Sequence, residues 1–402
     1  MSRVTIVGGG VSGLVTAYYL AREGVSVTLL EKQERLGGLV DTLRTPYGPV
    51  EAAASGIRSS ARFEEICREL DVPLVTTMKE SRKRYLYRGA PRQWPLGPAE
   101  SLGFAGKITA HYLTRTHLPR PGESVNVWGE RVLGRAPTHY ILGAALQGIY
   151  AGDPAELSAS MIMGKMRQKP AKGEKKGLVA PPVGLIEFIE ALTARLKEFG
   201  VEIRTGVSAE PSLDGEGAVV ISTSAKDAAT LLRERAPGAA EAIGSIEMLP
   251  LLRVTAFYPE SENTVKGFGI LFPREEGVRA LGVLFNTNIF PNRGEGHSES
   301  WIYGGAQDRG VVDLDDDAIL EMMNRDRETL YRRRVEPIAC YPQRWPLGLP
   351  HYDLHLEELR RKGFELPSGI FLAGNYLRGI GLPLLLEQSY DTAGRVRAWL
   401  AR

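Results

Sequence analysis

The fold is decided by one stretch near the amino terminus, Val4-Thr5-Ile6-Val7-Gly8-Gly9-Gly10-Val11-Ser12-Gly13. This stretch predicts a short apolar β-strand that ends in a glycine turn. Apolar residues then recur at helical spacing from Leu14 to Ala21, and Gly24 closes this helix. A second apolar run, from Val25 to Leu30, ends at the acidic Glu31. Strand, glycine turn, helix, strand and acid in this order predict a dinucleotide-binding βαβ unit.

The three fingerprint glycines have different mechanical roles in such a unit. Gly8 allows the tight turn, Gly10 lets the backbone approach a pyrophosphate, and Gly13 lets the helix pack closely on the strand. Unpaired N–H groups at the helix N-terminus favour a diphosphate, and Glu31 is placed to accept hydrogen bonds from an adenosine ribose. A purely structural glycine turn is the alternative, which we disfavour because all five elements of the pattern are present.

Length and composition narrow the class of protein. At 402 residues the chain exceeds the usual size of one hydrophobic core, so two packed units are expected. Fifty Lys and Arg against 48 Asp and Glu leave a net charge of +2, which argues against a nucleic-acid partner. Cys67 and Cys340 lie far apart, which excludes a disulfide scaffold or a cysteine-rich metal site.

The same sequence argues against export and membrane spanning. No apolar run approaches the ~18 residues that span a bilayer. Met1-Ser2-Arg3 does not open a signal peptide, because the first apolar stretch runs directly into glycines. We therefore expect a cytoplasmic protein.

A second glycine-rich segment lies near the other end of the chain. Residues Gly369 to Asn375 predict a buried strand that ends in a glycine turn. After Gly379-Ile380-Gly381-Leu382, Pro383 suits the first turn of a helix that runs to about Leu400. The N-terminus of this helix would point at the ligand of the first glycine turn, where its dipole favours negative charge. The alternative is that this strand and helix merely complete the domain.

Both glycine segments match a known group of flavoenzymes. Gly8 to Gly13, Glu31 and Arg35-Leu36-Gly37-Gly38 resemble the opening of the FAD-dependent amine-oxidase superfamily, which contains the protoporphyrinogen oxidases. The run from Gly374 to Leu382 resembles the closing flavin motif of the protoporphyrinogen-oxidase family. The resemblance covers nearly the whole chain and implies bound FAD. Two further segments resemble that family more specifically, namely Gly148-Ile149-Tyr150-Ala151-Gly152-Asp153-Pro154 and Gly267-Phe268-Gly269-Ile270-Leu271-Phe272-Pro273.

The resemblance implies an α/β fold of two domains. A Rossmann-like FAD-binding domain of the amine-oxidase type would be interleaved with a substrate domain built from a β-sheet and a helical insertion. We expect residues 1–75, 184–240 and 345–402 to form the FAD-binding domain. Residues 76–183 would form a helix-rich insertion that faces substrate and membrane, and residues 241–344 a β-rich substrate domain.

The resemblance also assigns the residues that contact FAD. They are Gly8, Gly9, Gly10, Val11, Ser12, Gly13, Glu31, Arg35, Gly37, Gly38, Leu39, Ala53, Ala54, Ser55, Gly56, Ala209, Gly374, Asn375, Ile380, Gly381 and Leu382. Two segments depart from the family pattern. Glu51-Ala52-Ala53-Ala54-Ser55-Gly56 stands where the family commonly has a Glu-x-Gly-Pro-Arg run, and Ser389-Tyr390 replaces a small Ser-Gly pair.

The chemistry that the resemblance implies needs few protein groups. A flavin oxidase transfers hydride to flavin N5, so the cofactor performs the difficult electronic step. A pyrrole N–H of a porphyrinogen can release the proton, and we therefore nominate no catalytic side chain. Such a substrate needs a flat apolar slot with a cationic anchor at its rim.

Five residues are candidates for this substrate site. Phe268, Leu271 and Leu284 would line the slot, Gly269 would allow close approach of the macrocycle, and Arg84 would pair with a propionate. The alternatives are plain core residues, above all for Leu284, and a solvated basic stretch for Arg84.

We predict no metal site. His351 and His355 stand at the i, i+4 spacing that can bind zinc on a helix. No third ligand or catalytic carboxylate motif accompanies them in the sequence, and Pro350 precedes the pair.

These expectations combine into one function, the FAD-dependent oxidation of protoporphyrinogen IX to protoporphyrin IX in haem biosynthesis. O2 would be the acceptor and hydrogen peroxide the second product. Oxidation of coproporphyrinogen III to coproporphyrin III is the first alternative. The others are another amine-oxidase relative with an amine or carotenoid substrate, and a catalytically silent flavin-binding relative.

The sequence also suggests partners and a location for the protein. The lysine-rich run at 165–176 is a solvated loop or, alternatively, a contact with anionic lipid headgroups, which would place the protein peripherally at the inner face of the membrane. A homodimer and a hand-off of the product to a ferrochelatase-type enzyme are further hypotheses. No nucleic acid is expected among the partners.

Overall fold

The structure is a computed structural model that describes residues 3–164, 177–209 and 217–402. The lysine-rich run at 165–176 therefore lies outside the described residues. Two large sheets and two small ones carry the strands of the described ranges. The large sheets differ in construction, since one is parallel and the other mainly antiparallel.

The strands are numbered in chain order. They are β1 (Arg3–Val7), β2 (Ser26–Leu30), β3 (Thr42–Thr45), β4 (Gly48–Glu51), β5 (Ile57–Arg58), β6 (Val75–Thr76), β7 (Tyr85–Tyr87), β8 (Pro91–Arg92), β9 (Leu178–Ala180), β10 (Glu202–Arg204), β11 (Ala218–Ile221), β12 (Met248–Tyr258), β13 (Gly269–Leu271), β14 (Gly282–Phe285), β15 (His297–Gly304), β16 (Ala339–Pro350) and β17 (Ile370–Leu372).

The α-helices are numbered in the same way. They are α1 (Val11–Ala21), α2 (Ala61–Glu69), α3 (Pro98–Leu113), α4 (Val125–Val132), α5 (Arg135–Pro137), α6 (Ala144–Tyr150), α7 (Ala159–Met163), α8 (Ile186–Glu198), α9 (Ala225–Leu232), α10 (Pro237–Gly244), α11 (Asn286–Ile289), α12 (Asp316–Tyr331), α13 (Leu354–Lys362) and α14 (Leu382–Leu400). A π-helical stretch, Thr138–Gly143, joins α5 to α6.

Five strands form a parallel sheet in the order β10-β2-β1-β11-β17. In this sheet Val7 at the end of β1 pairs with Leu30 of β2 and with Ile221 of β11. Leu372 of β17 pairs in turn with Ile221. The carboxyl ends of β1, β11 and β17 therefore lie side by side, which brings the two glycine segments to one edge. The strands and helices predicted for both segments are confirmed.

Helix α1 is buried along its whole length because other helices cover it. α8 and α14 both pack against α1, and all of its residues are buried. The Ser389 hydroxyl of α14 donates to the Ser12 carbonyl of α1 at 3.1 Å. The first and last helices of the described chain are thus joined beside the parallel sheet.

The second large sheet has the order β16-β12-β15-β14-β13-β7-β8. Its pairs are antiparallel except β13 with β7, which is parallel. One of its faces packs on α12 around Trp301, Phe285 and Met323. The predicted domain boundary at residue 345 falls inside β16, and β7 and β8 come from the predicted helical insertion. The division into domains stays a prediction.

Helices α3 to α7 lie in the segment predicted to be helix-rich. α3 differs from the others because none of its residues is buried, and Leu102, Tyr112 and Leu113 are each more than 70% exposed. None of the helices in the described ranges combines the length and the apolar character needed to cross a bilayer.

Candidate active site

The first glycine turn connects β1 to α1 at the carboxyl edge of the parallel sheet. Gly8 has a φ of +106°, in the region that favours glycine. A Cβ on Gly13 would lie 1.9 Å from the Gly8 carbonyl oxygen, so the packing of helix on strand requires glycine there. A Cβ on Gly10 would have Gly38 Cα as its nearest neighbour, at 3.9 Å. The protein thus leaves space at Gly10, where the sequence predicts the approach of a pyrophosphate.

The Glu31 carboxylate is fixed at the edge of this turn. It is buried and accepts hydrogen bonds from Gly9 N at 2.6 Å and from Gln33 N at 2.8 Å. An ionised carboxylate has about four lone-pair positions, so two bonds leave acceptor capacity for ribose hydroxyls. Its placement beside the N-terminus of α1 agrees with the role that the sequence predicts for it.

The second glycine pair packs directly on the first turn. Gly37 N donates to the Gly9 carbonyl at 2.8 Å, and both Gly37 and Gly38 have positive φ. Arg35 donates to the Gly38 carbonyl at 2.9 Å, and its guanidinium lies 6.0 Å from the Trp345 ring centroid. The resemblance assigned this segment, including the half-buried Leu39, to FAD, and the structure brings it to the glycine turn.

The N-termini of α1 and α14 converge at the same place. Val11 begins α1, Leu382 begins α14, and both side chains line one small apolar cavity. Gly10 and Gly381 occupy the N-cap positions, so neither helix has a side-chain cap. The free N–H groups and the positive ends of two helix dipoles favour an anionic ligand between them.

The closing glycine segment is held by the parallel sheet and by a tyrosine. Ala373 N donates to the Ile221 carbonyl at 2.9 Å, which extends the β11–β17 pairing to Gly374. The Tyr352 hydroxyl donates to the Asn375 carbonyl at 2.5 Å. The carbonyl of Asn375 is thereby fixed, while its side chain is half-buried, as is Ile380.

Tyr390, one of the departures from the family pattern, lies on the outer side of α14. It is 43% exposed, its ring centroid lies 5.1 Å from that of Tyr19, and the Arg62 guanidinium lies 3.9 Å from the Tyr390 ring centroid. Ser389, the preceding residue, is buried and contacts the Ser12 carbonyl. The bulk of Tyr390 is therefore accommodated between α14, α1 and α2.

The other departing segment, Ala53 to Gly56, is held from outside by the second sheet. Arg253 of β12 donates to the Ala53 carbonyl, and to Ser55 Oγ at 2.7 Å. Trp345 Nε1 of β16 donates to the Ala52 carbonyl at 2.9 Å. Neither residue was predicted from the sequence as part of the site. An arginine inside an otherwise apolar strand was the available signal for Arg253.

Ala209, expected near adenine, lies at the end of the described segment that follows β10. Gly206 N donates to the Gln33 carbonyl at 3.0 Å, and Val207 N donates to the Glu31 carbonyl at 2.9 Å. This pairing carries the segment past the acid that follows β2. Ala209 itself packs on the cluster that contains Val219 and Leu231. Its contact with adenine stays a prediction.

The five substrate candidates lie on adjoining strands of the second sheet. Gly269 pairs with Leu284, and Leu271 pairs with Leu86 of β7. Phe268 N donates to the Lys83 carbonyl at 2.8 Å, next to Arg84. Phe268 and Leu284 are half-buried against Phe290 and Ala180, so the structure brings all of these residues into one neighbourhood.

Arg84 has the features of an anchor for an anion. Its side chain is exposed, and its guanidinium lies 4.7 Å from the Phe268 ring centroid. Within the described ranges no carboxylate pairs with it, whereas the neighbouring Arg88 is bound to Glu100 at 2.7 Å. A guanidinium over an aromatic face and without an acidic partner can pair with a substrate carboxylate.

Neighbouring protein atoms lie close to two glycines near this site. A Cβ on Gly269 would lie 2.1 Å from the Val283 carbonyl oxygen, and a Cβ on Gly148 would lie 2.5 Å from Leu271 Cδ2. Pairing of β13 with β14 therefore requires Gly269 without any ligand. Approach of a macrocycle to Gly269 stays a prediction.

The histidine pair considered for zinc does not converge on one helix face. His351 precedes α13, and its Nδ1 lies 2.8 Å from Glu247, whereas His355 Nε2 lies 2.8 Å from Ser245 Oγ. Donor atoms of Glu247, His351 and Asp353 do lie within 4.8 Å of one another. Glu247 is also bound to Arg309 at 2.6 Å, which supplies a counter-charge to this group.

A buried ionic cluster lies on the opposite face of the second sheet, away from the substrate candidates. Glu299 accepts from His297, Arg327 and the Tyr331 hydroxyl. Burial alone would raise the pKa of Glu299, but its bond with His297 and the Arg327 charge hold that pKa below its ordinary value. This carboxylate is committed to the packing of α12.

Comparisons with known proteins place this geometry in context. The profile of the family described as "flavin containing amine oxidoreductase" matches residues 11–383. The chain is 26% identical to "Protoporphyrinogen oxidase, chloroplastic" of Oryza sativa subsp. japonica, over 99% of this chain and 88% of that protein. It is 22% identical to "Coproporphyrinogen III oxidase" of Bacillus subtilis (strain 168), over 96% of each.

Solved structures show the same fold. A protein from Exiguobacterium sp. 255-15 superposes with a TM-score of 0.80 at 20% identity, covering 100% of this chain and 99% of that one. Cyclohexylamine oxidase from Brevibacterium oxydans gives a TM-score of 0.75 at 15% identity, covering 100% of both chains. The predicted α/β flavoprotein fold of the amine-oxidase type is thereby confirmed.

Proposed function

Because the chain belongs to the flavin containing amine oxidoreductase family and is an FAD-dependent oxidoreductase, we propose that it oxidises protoporphyrinogen IX to protoporphyrin IX with O2 as acceptor. The observation that supports this proposal is the arrangement of residues at two sites. Two uncapped helix N-termini converge beside the glycine turn. A cluster of half-buried apolar residues lies on the second sheet beside Arg84, which pairs with no carboxylate of the described ranges.

The residues of the first site fit FAD. Glu31 would hold the ribose hydroxyls, and the N–H groups of α1 beside Gly10 would bind the diphosphate. The N-terminus of α14 would stabilise the negative charge that develops on the isoalloxazine when it is reduced. When bound, FAD supplies the acceptor for a hydride at N5.

The residues of the second site orient the substrate. Phe268 and Leu284 offer an apolar surface for the macrocycle, and Arg84 offers a cation for a propionate at the rim. Exclusion of water by these apolar side chains would strengthen the contact of Arg84 with that propionate. No side chain is assigned to proton transfer, since a pyrrole N–H of the substrate can release the proton.

The proposal is tested with the purified yellow holoenzyme under anaerobic conditions. Oxidation to the porphyrin removes six electrons and each FAD accepts two, so mixing protoporphyrinogen IX with at least three equivalents of holoenzyme is expected to bleach the visible flavin band while porphyrin fluorescence appears. Admission of O2 is expected to restore the band and to produce hydrogen peroxide. A yellow protein whose band survives every porphyrinogen would contradict the proposal and favour an amine-oxidase relative or a catalytically silent one.

Coproporphyrinogen III is the second candidate substrate, favoured by the similarity to the Bacillus subtilis protein. Protoporphyrinogen carries two propionates and coproporphyrinogen four, so the two differ in how many cations they need at the rim. Rates of flavin bleaching with the two compounds, measured at equal concentration, decide between them. A faster reaction with coproporphyrinogen would make it the preferred substrate.

We propose that the protein binds peripherally to the surface of a membrane. The exposed apolar side chains of α3, together with Trp94, support it, since an unpartnered apolar surface indicates an interaction site. Sedimentation with vesicles of anionic phospholipid is expected to carry the protein down. The double variant Leu102→Ser, Leu113→Ser should stay in the supernatant, while Ile338→Ser, which changes an exposed residue elsewhere, should still sediment. The homodimer and the hand-off to a ferrochelatase-type enzyme stay predictions.

A further inference from the structure

One face of the second sheet turns toward the proposed site and, on strands β12, β15, β14 and β13, carries a single charge. A row of paired residues crosses this face from Thr255 through Ser300 and Leu284 to Gly269. Arg253 lies two residues from Thr255 and so shares its face. On the described strands β12, β15, β14 and β13, all the remaining positions of this face are uncharged. The arginine therefore stands on the same surface as the substrate candidates.

The Arg253 guanidinium connects this surface to the loop assigned to FAD. It donates to the Ala53 carbonyl, to Ser55 Oγ at 2.7 Å and to Ser300 Oγ at 2.9 Å. Ser300 is bound in turn to Thr255 at 2.8 Å and to Asn286 at 3.0 Å. One side chain thus joins the Ala53–Ser55 loop to β12 and β15 of the second sheet.

Among the described residues, no carboxylate forms an ion pair with Arg253. Glu51, the acid nearest in this cluster, accepts from Arg293 at 3.1 Å, from Thr42 Oγ1 at 2.7 Å and from Leu185 N at 3.1 Å. Two guanidiniums and one carboxylate therefore line a small internal cavity. Its residues are Pro49, Glu51, Ser55, Arg253, Asn286, Ile289, Phe290 and Arg293.

Burial of this excess charge lowers the stability of the folded protein, because the guanidinium loses its hydration. Arg253 is 4% exposed, and its Nε has no hydrogen-bond partner. Burial lowers the pKa of Arg253 to about 10, so the guanidinium stays charged at neutral pH. Uncompensated buried charges are destabilising, and groups of this kind cluster at functional sites.

We propose that Arg253 is a positioning residue for the flavin, which holds the Ala53–Ser55 backbone in place and adds a permanent positive charge that favours the reduced cofactor. The inference rests on the proposed function for the placement of FAD beside this loop. The loop lacks the Gly-Pro turn of the family pattern, and the hydrogen bonds from Arg253 replace the rigidity that such a turn supplies. In a low-dielectric interior the charge acts on the cofactor without touching it.

The test compares holoenzyme variants by the midpoint potential of their bound flavin. Arg253→Met removes the charge and the hydrogen bonds, and Arg253→Lys keeps the charge. Arg253→Met is expected to lower the potential and to slow flavin reduction at saturating protoporphyrinogen about tenfold, whereas Arg253→Lys should keep a potential near that of the parent. Arg327→Met, which alters a buried arginine on the opposite face, should lower the melting temperature and leave the potential unchanged.

The outcomes separate a role toward the flavin from a structural one. An Arg253→Met holoenzyme with the parent potential and visible spectrum would overturn the proposal. If this variant does not fold, Arg253→Lys and Ser55→Ala carry the test. The proposal is supported if Arg253→Lys keeps the parent potential while Ser55→Ala binds FAD more weakly and shifts its visible spectrum. It is overturned if Ser55→Ala has the FAD affinity and the visible spectrum of the parent.

Failure of the proposed function would be visible separately. The potentials are measured with dyes as electron donors and need no porphyrinogen. A wild-type holoenzyme that is inactive with every porphyrinogen would contradict the proposed substrate, while a lowered potential in Arg253→Met would still assign the arginine to the flavin.

Discussion

Two regions of this protein use glycine for different reasons, the βαβ turn at the edge of the parallel sheet and the strands of the antiparallel sheet. In the turn, Gly13 is fixed by contact with the Gly8 carbonyl, but Gly10 has open space where a Cβ would stand. In the antiparallel sheet, Gly269 is required because a Cβ there would lie 2.1 Å from a backbone carbonyl oxygen of the neighbouring strand. Open space at Gly10, beside the N-terminus of α1, leaves room for a ligand, whereas a glycine that packing requires gives no information about one.

The largest expected effect separates the two kinds of glycine within the turn itself. Gly13→Ala forces a Cβ against a backbone oxygen that cannot move aside, and should cost about 3 kcal/mol of unfolding free energy or more. Gly10→Ala keeps an ordinary φ of −72° and should leave the apoprotein's stability unchanged. It should nevertheless raise the dissociation constant of FAD at least about tenfold, because its methyl group occupies the space of the pyrophosphate.

The measurements are thermal unfolding of the apoproteins and titration with FAD followed by its fluorescence. Gly103→Ala serves as the control, since a Cβ there meets no atom within 4 Å. If Gly10→Ala bound FAD like the parent, the open space at Gly10 would not be the pyrophosphate site, and the contrast between the two glycines would lose its meaning.

Arg84→Ala should have the next largest effect, and only on the substrate side. Removal of an anchor that pairs with a carboxylate should raise KM for the porphyrinogen about 30-fold, since a hydrogen bond to a charged group contributes about 2 kcal/mol. FAD retention should not change because the Arg84 side chain contacts Phe268, one of the substrate candidates, and not the loop assigned to FAD. Arg82→Ala, an exposed neighbour, is the control for loss of charge.

Steady-state kinetics and the flavin content of purified Arg84→Ala check this expectation. Equal loss of substrate affinity and flavin would show that Arg84 has a structural role, and would remove the distinction between the two regions.

Gly269→Ala sharpens the comparison from the antiparallel side. The added methyl group would meet the Val283 carbonyl oxygen of the neighbouring strand, so β13 and β14 must separate slightly. Unfolding free energy should fall by about 1–2 kcal/mol, while KM of the folded enzyme should stay near that of the parent. Denaturant unfolding together with kinetics checks both values. A fully stable variant with a raised KM would instead assign Gly269 to the substrate.

The βαβ unit was predictable from sequence because its causes are local. Strand, turn, helix and acid follow one another within about thirty residues, and each glycine has its reason within that unit. The convergence of α1 and α14 was predictable for a related reason. Parallel strands bring their carboxyl ends to one edge, so both glycine segments had to meet there if both strands belong to one sheet.

The hydrogen bonds from Arg253 to the Ala53–Ser55 loop could not be predicted in the same way. It depends on the pairing of β12 with β15 and on the contact of that sheet with a loop about 200 positions away in sequence. The sequence carried a single sign of it, a charged residue within an apolar strand. The same limit explains Gly269, whose neighbour on β14 is set by strand register and not by local spacing.

The smallest expected effect uses one thiol in each region as a label. Cys67 on α2 packs in the core beside the parallel sheet, and Cys340 lies on β16 of the antiparallel sheet. Burial raises the pKa of Cys67 to about 12 and that of Cys340 to about 11. Since the thiolate is the reactive form, both native thiols should alkylate slowly at mildly alkaline pH, and Cys340 about tenfold faster than Cys67. Iodoacetamide labelling followed by mass spectrometry checks this order, with the denatured chain as the control in which both thiols react alike. Faster labelling of Cys67 would contradict this order and would mean that the core beside the parallel sheet opens to solvent more readily than β16 does.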